Sequence, residues 1–287
     1  MNALQIKNMT VQLKDFALKQ IDLTVEAGTI VGLVGENGAG KTTTIRSILN
    51  FYPLKQGTIE VYGKDHLQEE IAVKNLLGYV ADEDYLKADS TLRKYAKLYS
   101  SIYANWNEQL FEEQLAHWKL PLDQKFSSFS KGMKTKAMLT LSLAHEPKLL
   151  ILDEPTAGLD PVAREEFLQI LRQFVEDGEH AVLFSTHITA DLDKVADSIA
   201  LLSGGCLLKE ANTDWWEDTY LLAICEDSAR SAFAPFAKGI LTRGQELTAI
   251  VARKDKAALE AAIPTVQFQR ASMEDIMMHL LLEKRGE

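Results

Sequence analysis

Short runs in which apolar side chains recur at every second position open the chain: Leu4-Gln5-Ile6, Met9 to Leu13 and Ile21 to Val25, separated by polar breaks. Gly57 to Gly63 repeats that period. A period of two puts alternate side chains on one face, so these runs predict a small antiparallel sheet around a later loop. Ile30, Val31, Leu33 and Val34 form a continuous apolar strand, then a glycine-rich turn, then Ile45, Ile48 and Leu49 at helical spacing. From about Asp84 to Leu143 the period lengthens throughout. Leu92, Tyr95, Ala96, Tyr99 and Tyr103 make one helical stripe, and Leu110, Phe111, Leu115 and Trp118 a second before Pro121. Their aromatic residues read as core.

Leu149 to Leu152 is an unbroken apolar run closed by Asp153-Glu154-Pro155, the pattern of a central parallel strand buried on both faces. Ala181 to Ser185 and Ile199 to Leu202 are of the same kind. Between them Asp160-Pro161 starts a helix with an aspartate cap, Phe167, Ile170, Leu171 and Phe174 line its inner face, and Gly178 stops it. Beyond about residue 211 the texture shifts. Leu247 to Ala252 and Thr265 to Phe268 read as strands, Lys256 to Ala262 as a helix, and Ser272 with Asp275 as the capping box of a last helix. The pattern predicts an α/β domain over residues 1–210, with a helical subdomain over about 84–143, and a small α+β accessory domain over 211–287.

Composition narrows the function classes. With 41 acidic against 31 basic residues, a net charge of −10, the chain lacks the basic excess that general nucleic-acid or anionic-lipid binding requires. Two cysteines, Cys206 and Cys225, fit neither a metal cluster nor a disulfide framework, and no signal segment is evident, so a reducing cytoplasm is expected. No run approaches the ~20 apolar residues that span a bilayer.

The chemistry concentrates in the turn Gly35-Glu36-Asn37-Gly38-Ala39-Gly40-Lys41-Thr42-Thr43, which fits G-x-x-x-x-G-K-[ST]. Glycines let the backbone approach an anion with no Cβ in the way, and the first N–H groups of the following helix add a positive dipole end. Lys41 neutralises phosphate charge, and Thr42 offers a hydroxyl to Mg²⁺. Open α/β sheets bind ligands outside the carboxyl ends of their strands, which places Asp153, Glu154 and His187 in one crevice with a metal ion and a reacting phosphate. Positioning, a metal, charge stabilisation and one oriented water are what phosphoryl transfer needs.

The loop, then Phe129-Ser130-Lys131-Gly132-Met133, then Leu149 to Glu154, then Gly158-Leu159-Asp160, then His187, in that order, resembles the nucleotide-binding subunit of an ABC transporter over residues 1 to about 210. The resemblance implies a P-loop NTPase fold, a RecA-like parallel core with antiparallel and helical subdomains, that binds and hydrolyses ATP with Mg²⁺. It implies Asp153 as the metal-holding acid, Glu154 as the base that orients water, and His187 as a switch reaching the γ-phosphate. Ser130, Lys131 and Gly132 stand at the signature positions and Asp160 in a loop that crosses to the opposite subunit. The implied assembly is a dimer, a homodimer by expectation, that closes two ATP sites head to tail and drives a separate transmembrane permease from the cytoplasmic face of the membrane.

Three departures stand out. Lys131 and Met133 replace the usual Gly and Gln, a variant similar to that of prokaryotic exporter-type subunits. Asp82, after Gly78-Tyr79-Val80, takes the place of a metal-touching Gln, and Phe16 stands in for an adenine-stacking aromatic expected near Leu13. A soluble ATPase of the same fold, or a regulatory module switched by ATP, remains the alternative to a transport subunit.

Overall fold

The computed structural model describes residues 1–83 and 85–285. Asp84, the expected start of the helical stretch, and Gly286 and Glu287, at the end of the expected accessory domain, lie outside the described residues. In chain order the elements are β1 (Asn2–Gln12), β2 (Ala17–Glu26), β3 (Ile30–Gly35), α1 (Lys41–Ile48), β4 (Gln56–Val61), β5 (Lys64–Asp65), α2 (Glu70–Leu76), β6 (Leu77–Val80), α3 (Leu92–Ile102) and α4 (Glu108–Trp118). There follow α5 (Lys131–Leu143), β7 (Leu149–Asp153), α6 (Pro161–Val175), β8 (Ala181–Ser185), α7 (Thr189–Val195), β9 (Ser198–Ser203) and β10 (Cys206–Asn212). The last are α8 (Thr213–Thr219), β11 (Tyr220–Glu226), α9 (Arg230–Phe233), β12 (Ala237–Arg243), β13 (Glu246–Ala252), α10 (Lys256–Ala262), β14 (Gln267–Arg270) and α11 (Met273–Arg285).

Two compact units result, one of Met1–His187 with Val195–Glu210, the other of Ile188–Lys194 with Ala211–Glu287. In the first, a six-stranded sheet runs in the order β10-β9-β3-β8-β7-β6, with β9, β3, β8, β7 and β6 parallel along their shared edges. The carboxyl ends of β3, β8, β7 and β6 therefore emerge on one edge. Strands β3, β7 and β8 are buried at every position, as their continuous apolar sequences dictate. Val31, Leu33, Ile151 and Leu183 share one core with Ile45 and Ile48 of α1 and with the apolar side of a four-stranded sheet, β2-β1-β4-β5. Helix α6 packs against β3 and β8, and α5 against β6.

Local patterns held with instructive exceptions. The first two runs fuse into the single strand β1, bent at Asn8, whose φ of 51° accompanies a shift of register. The inner face of α6 is Ala163, Phe167, Leu168 and Leu171, while Ile170 and Phe174 are only half-buried. Tyr95, Tyr99 and Tyr103 are half-buried as well, not core. Tyr79, Tyr85, Tyr99 and Tyr103 line a cavity of about 620 Å³ with Arg46 and Phe51. His145 is buried at its floor, its ring stacked on Tyr103 at a centroid distance of 4.1 Å.

The second unit is an antiparallel sheet in the order β12-β13-β11-β14. Leu221, Ala223, Cys225, Leu247, Ala249 and Val251 make its core with Phe233 of α9 and Leu259 of α10. The expected capping box of α11 is present: Ser272 N–H donates to Asp275 Oδ2 at 3.0 Å, and Asp275 N–H to Ser272 Oγ at 3.1 Å. Among the described residues no helix is long and apolar enough to cross a membrane.

Candidate nucleotide site

The glycine-rich turn closes on a helix that has no side-chain cap. Gly40 is the N-cap of α1, with φ 113°. A Cβ there would lie 2.7 Å from Leu18 Cδ2 and 3.0 Å from Phe16 Cζ, so packing and backbone conformation both require glycine. Phe16, the expected base-stacking aromatic, thus lies directly against the phosphate loop. On the opposite flank of the turn a Cβ on Gly38 would meet nothing within 4 Å. Glu36, Asn37, Gly38 and Ala39 form the turn itself, Ala39 N–H donating to Glu36 O at 3.0 Å. Thr42 and Thr43 are half-buried in the first turn of α1.

Lys41 folds back under this turn and is 7% exposed. Its ammonium donates to Gly35 O at 2.9 Å and to Glu36 O at 3.4 Å, and stands 3.7 Å from Glu154 Oε1. A buried cation held this way is positioned before any anion arrives.

The acids lie at the edge the sequence assigned to them. Asp153 ends β7 in register with Ser185 at the end of β8. Ser185 Oγ donates to Asp153 Oδ1 at 2.5 Å, and Asp153 is 2% exposed. Burial, and next the Asp153 charge, push the nearby Tyr79 phenol up to about 12. Glu154 takes a left-handed backbone, φ 49°, a conformation that costs a non-glycine residue roughly 1–2 kcal/mol. Its N–H donates to Ser185 O at 3.0 Å. Its Oε2 accepts from the His187 N–H at 3.2 Å and lies 2.7 Å from His187 Nδ1. One carboxylate therefore bridges Lys41 and His187. Ser185 is a member of this cluster that the sequence reading passed over as a strand residue; its signal is the Asp153 register pairing, which depends on β7 and β8 being neighbours.

The remaining site residues form a second cluster. Ser130 caps α5, its Oγ accepting from Met133 N–H at 3.2 Å. Lys131 Nζ pairs with Asp82 at 2.8 Å. A Cβ on Gly132 would come 3.1 Å from Gly158 O, so the turn at Gly158-Leu159-Asp160 lies against the start of α5. Asp160 Oδ1 accepts from Val162 N–H at 3.1 Å and Ala163 N–H at 3.0 Å. Those backbone bonds, the Ala163 one foremost, hold its carboxyl below the usual carboxylate range.

The donor set suits a triphosphate with a hard divalent cation. The loop supplies an open cradle and a buried ammonium. Asp153 and the Thr42 hydroxyl supply oxygen, and among the described residues no group of three or more His, Cys, Asp or Glu side chains gathers to hold a metal alone. Mg²⁺ is commonly held in this way, by one or two protein oxygens and the phosphates themselves.

Residues 18–157 match the family model described as "ABC transporter". Over 216 residues the chain is 33% identical to "ABC-type transporter ATP-binding protein EcsA" of Bacillus subtilis (strain 168), covering 71% of this chain and 85% of that protein. Over 200 residues it is 30% identical to "Bacitracin transport ATP-binding protein BcrA" of Bacillus licheniformis, covering 69% and 65%. A solved structure described as "Structure of ATP binding subunit of ABC transporter" superposes with a TM-score of 0.69 at 29% identity, covering 75% of this chain and 92% of that one.

Proposed function

The chain belongs to the ABC transporter family as an ATP-binding ATPase subunit, and from that premise we propose that it powers export through a separate membrane-spanning permease by ATP-dependent dimerisation. The observation that carries this reading is the Glu154 carboxylate, held between Lys41 and His187 at the end of β7. Lys41 and the α1 amides bind the β- and γ-phosphates. Glu154 then orients the attacking water and takes its proton, and His187, bonded to Glu154 and with 56% of its side chain exposed, reaches the same phosphate. Thr42 and Asp153 would hold Mg²⁺, which would supply neutralisation of the charge on the phosphate oxygens.

The second cluster supports the dimer. Ser130, Lys131 and Gly132 present the N-terminus of α5, and the phosphate that this end accepts is the one held by the loop of another copy. Hydrolysis removes the shared γ-phosphate and the copies part, a rigid-body motion that a permease can use. The tyrosine-lined cavity beside Arg46, with Phe51 65% exposed at its rim, offers an apolar seat for a short permease helix. Export is favoured by Lys131-Gly132-Met133, which is similar to the variant of prokaryotic exporter-type subunits, and a transport role by the likeness to the bacitracin transport protein. The work takes place at the cytoplasmic membrane face, and the second unit serves as an accessory domain, with no catalytic constellation among its described residues.

Glu154→Gln keeps the shape of the side chain and removes the base. With saturating ATP and Mg²⁺ this variant is expected to scatter light as a dimer, while turnover falls on the order of 1000-fold. A monomer under those conditions would overturn the shared-site reading.

A further inference from the structure

Asp82 and Lys131 each place a charge where the family pattern has none, and the structure joins them: Lys131 Nζ lies 2.8 Å from Asp82 Oδ1 across 49 residues of sequence. The lysine stem is seated as well. Its Cδ and Cγ come within 3.3 and 3.4 Å of the place a Cβ would take on Gly158, so a side chain at 158 would unseat it. The adjacent Glu83 reaches the other way, its Oε2 3.8 Å from Arg46 Nη2 on α1. Consecutive carboxylates thus link the helix of the phosphate loop to the helix that Ser130 caps.

Stability is a poor account of this pair. Its side chains are 53% and 44% exposed, and ion pairs so solvated contribute little. Its place in the fold is more telling. Val80 pairs with Leu152, one residue before Asp153, so Asp82 follows a strand end level with Asp153, the acid read above as a metal ligand.

We infer that Lys131 is a positioning residue for hydrolysis: its ammonium holds the Asp82 carboxylate and competes for it with the divalent cation. This rests on the ATPase reading above. Before metal arrives, Asp82 is neutralised and does not repel the triphosphate. When Asp82 turns to the cation, Lys131 is released from it, and the change is felt where its stem covers Gly158 and at the start of α5.

The test uses the full chain and a fluorescent ATP analogue, titrated with MgCl₂ and separately in EDTA, with steady-state ATPase alongside. Lys131→Met is expected to lower the Mg²⁺ half-saturation about 3- to 10-fold and to weaken analogue binding in EDTA by a similar factor, because Asp82 then stands unneutralised. Lys131→Arg restores wild-type behaviour in both titrations. In an Asp82→Asn background, Lys131→Met shifts neither titration. The inference is overturned if Lys131→Met superimposes on wild type, or if its shifts are the same with and without Asp82. A wild-type chain that binds no analogue overturns the ATPase reading itself, a result distinct from either.

Discussion

Helix α1 begins on Gly40 with no side chain accepting its first N–H groups and with Lys41 buried beneath it, whereas α5 begins on Ser130, whose hydroxyl accepts from Met133 N–H, and carries Lys131 in the open. The same backbone end is thus left incomplete in one place and satisfied in the other. An uncapped helix start beside a buried cation needs an anion to complete it. A serine-capped start already has a partner for one of its first N–H groups within the chain. Under the shared-site proposal the phosphate loop engages first, and the end of α5 joins afterwards.

The strongest way to break this contrast is at Lys41. Lys41→Ala removes the preset cation, and ATP affinity measured by calorimetry should fall on the order of 100-fold, the worth of one or two charge-assisted bonds; unchanged affinity would refute the loop assignment. Gly40→Ala comes next. The clash with Leu18 and the left-handed φ should cost about 2 kcal/mol in denaturant unfolding and weaken ATP binding roughly tenfold by tilting the amides. Unaltered unfolding and binding would mean that the loop tolerates a Cβ.

Ser130→Ala sharpens the comparison from the other side. It should cost about 1 kcal/mol of stability and reduce turnover several-fold while ATP binding by the isolated chain stays as in wild type. Equal losses in binding and turnover would place Ser130 in the first binding event and erase the distinction. The smallest effect touches neither helix end. Burial lowers the basicity of His145, held by the carbonyls of Leu77 and Leu141, and of His279, held by Gly239 O. The unfolded chain takes up protons at these histidines near pH ~6.5 while the folded chain does not. Their contribution is present above that pH and lost as pH falls below it, so the unfolding midpoint should decline between about pH 7.5 and 5.5. A midpoint that rises over that interval would contradict the assignment.

The loop and the strand-end acids were legible because a fixed spacing was flanked by the right periodicities, and because a parallel strand delivers the residues at its carboxyl end to the ligand edge. Ser185 was not, since its bond to Asp153 depends on the order of strands in the sheet, which no local pattern records. The tyrosine stripe of α3 was read as core for a related reason: helical spacing says that side chains share a face, not that anything covers it. In the second unit, β11 is a run too uniformly apolar to tell strand from buried helix, and β12, Ala-Lys-Gly-Ile-Leu-Thr-Arg, hardly alternates. Asp82 and Lys131 were each visible as departures, yet nothing in the sequence said that they touch.

The left-handed turn at Glu154 carries one more consequence. By aiming a single carboxylate at both Lys41 and His187, it ties the ammonium under the glycine-rich turn to the strand-end acid. An anion that claims Lys41 must loosen that ammonium from Glu154, so one backbone torsion couples the glycine-rich turn to the end of β7.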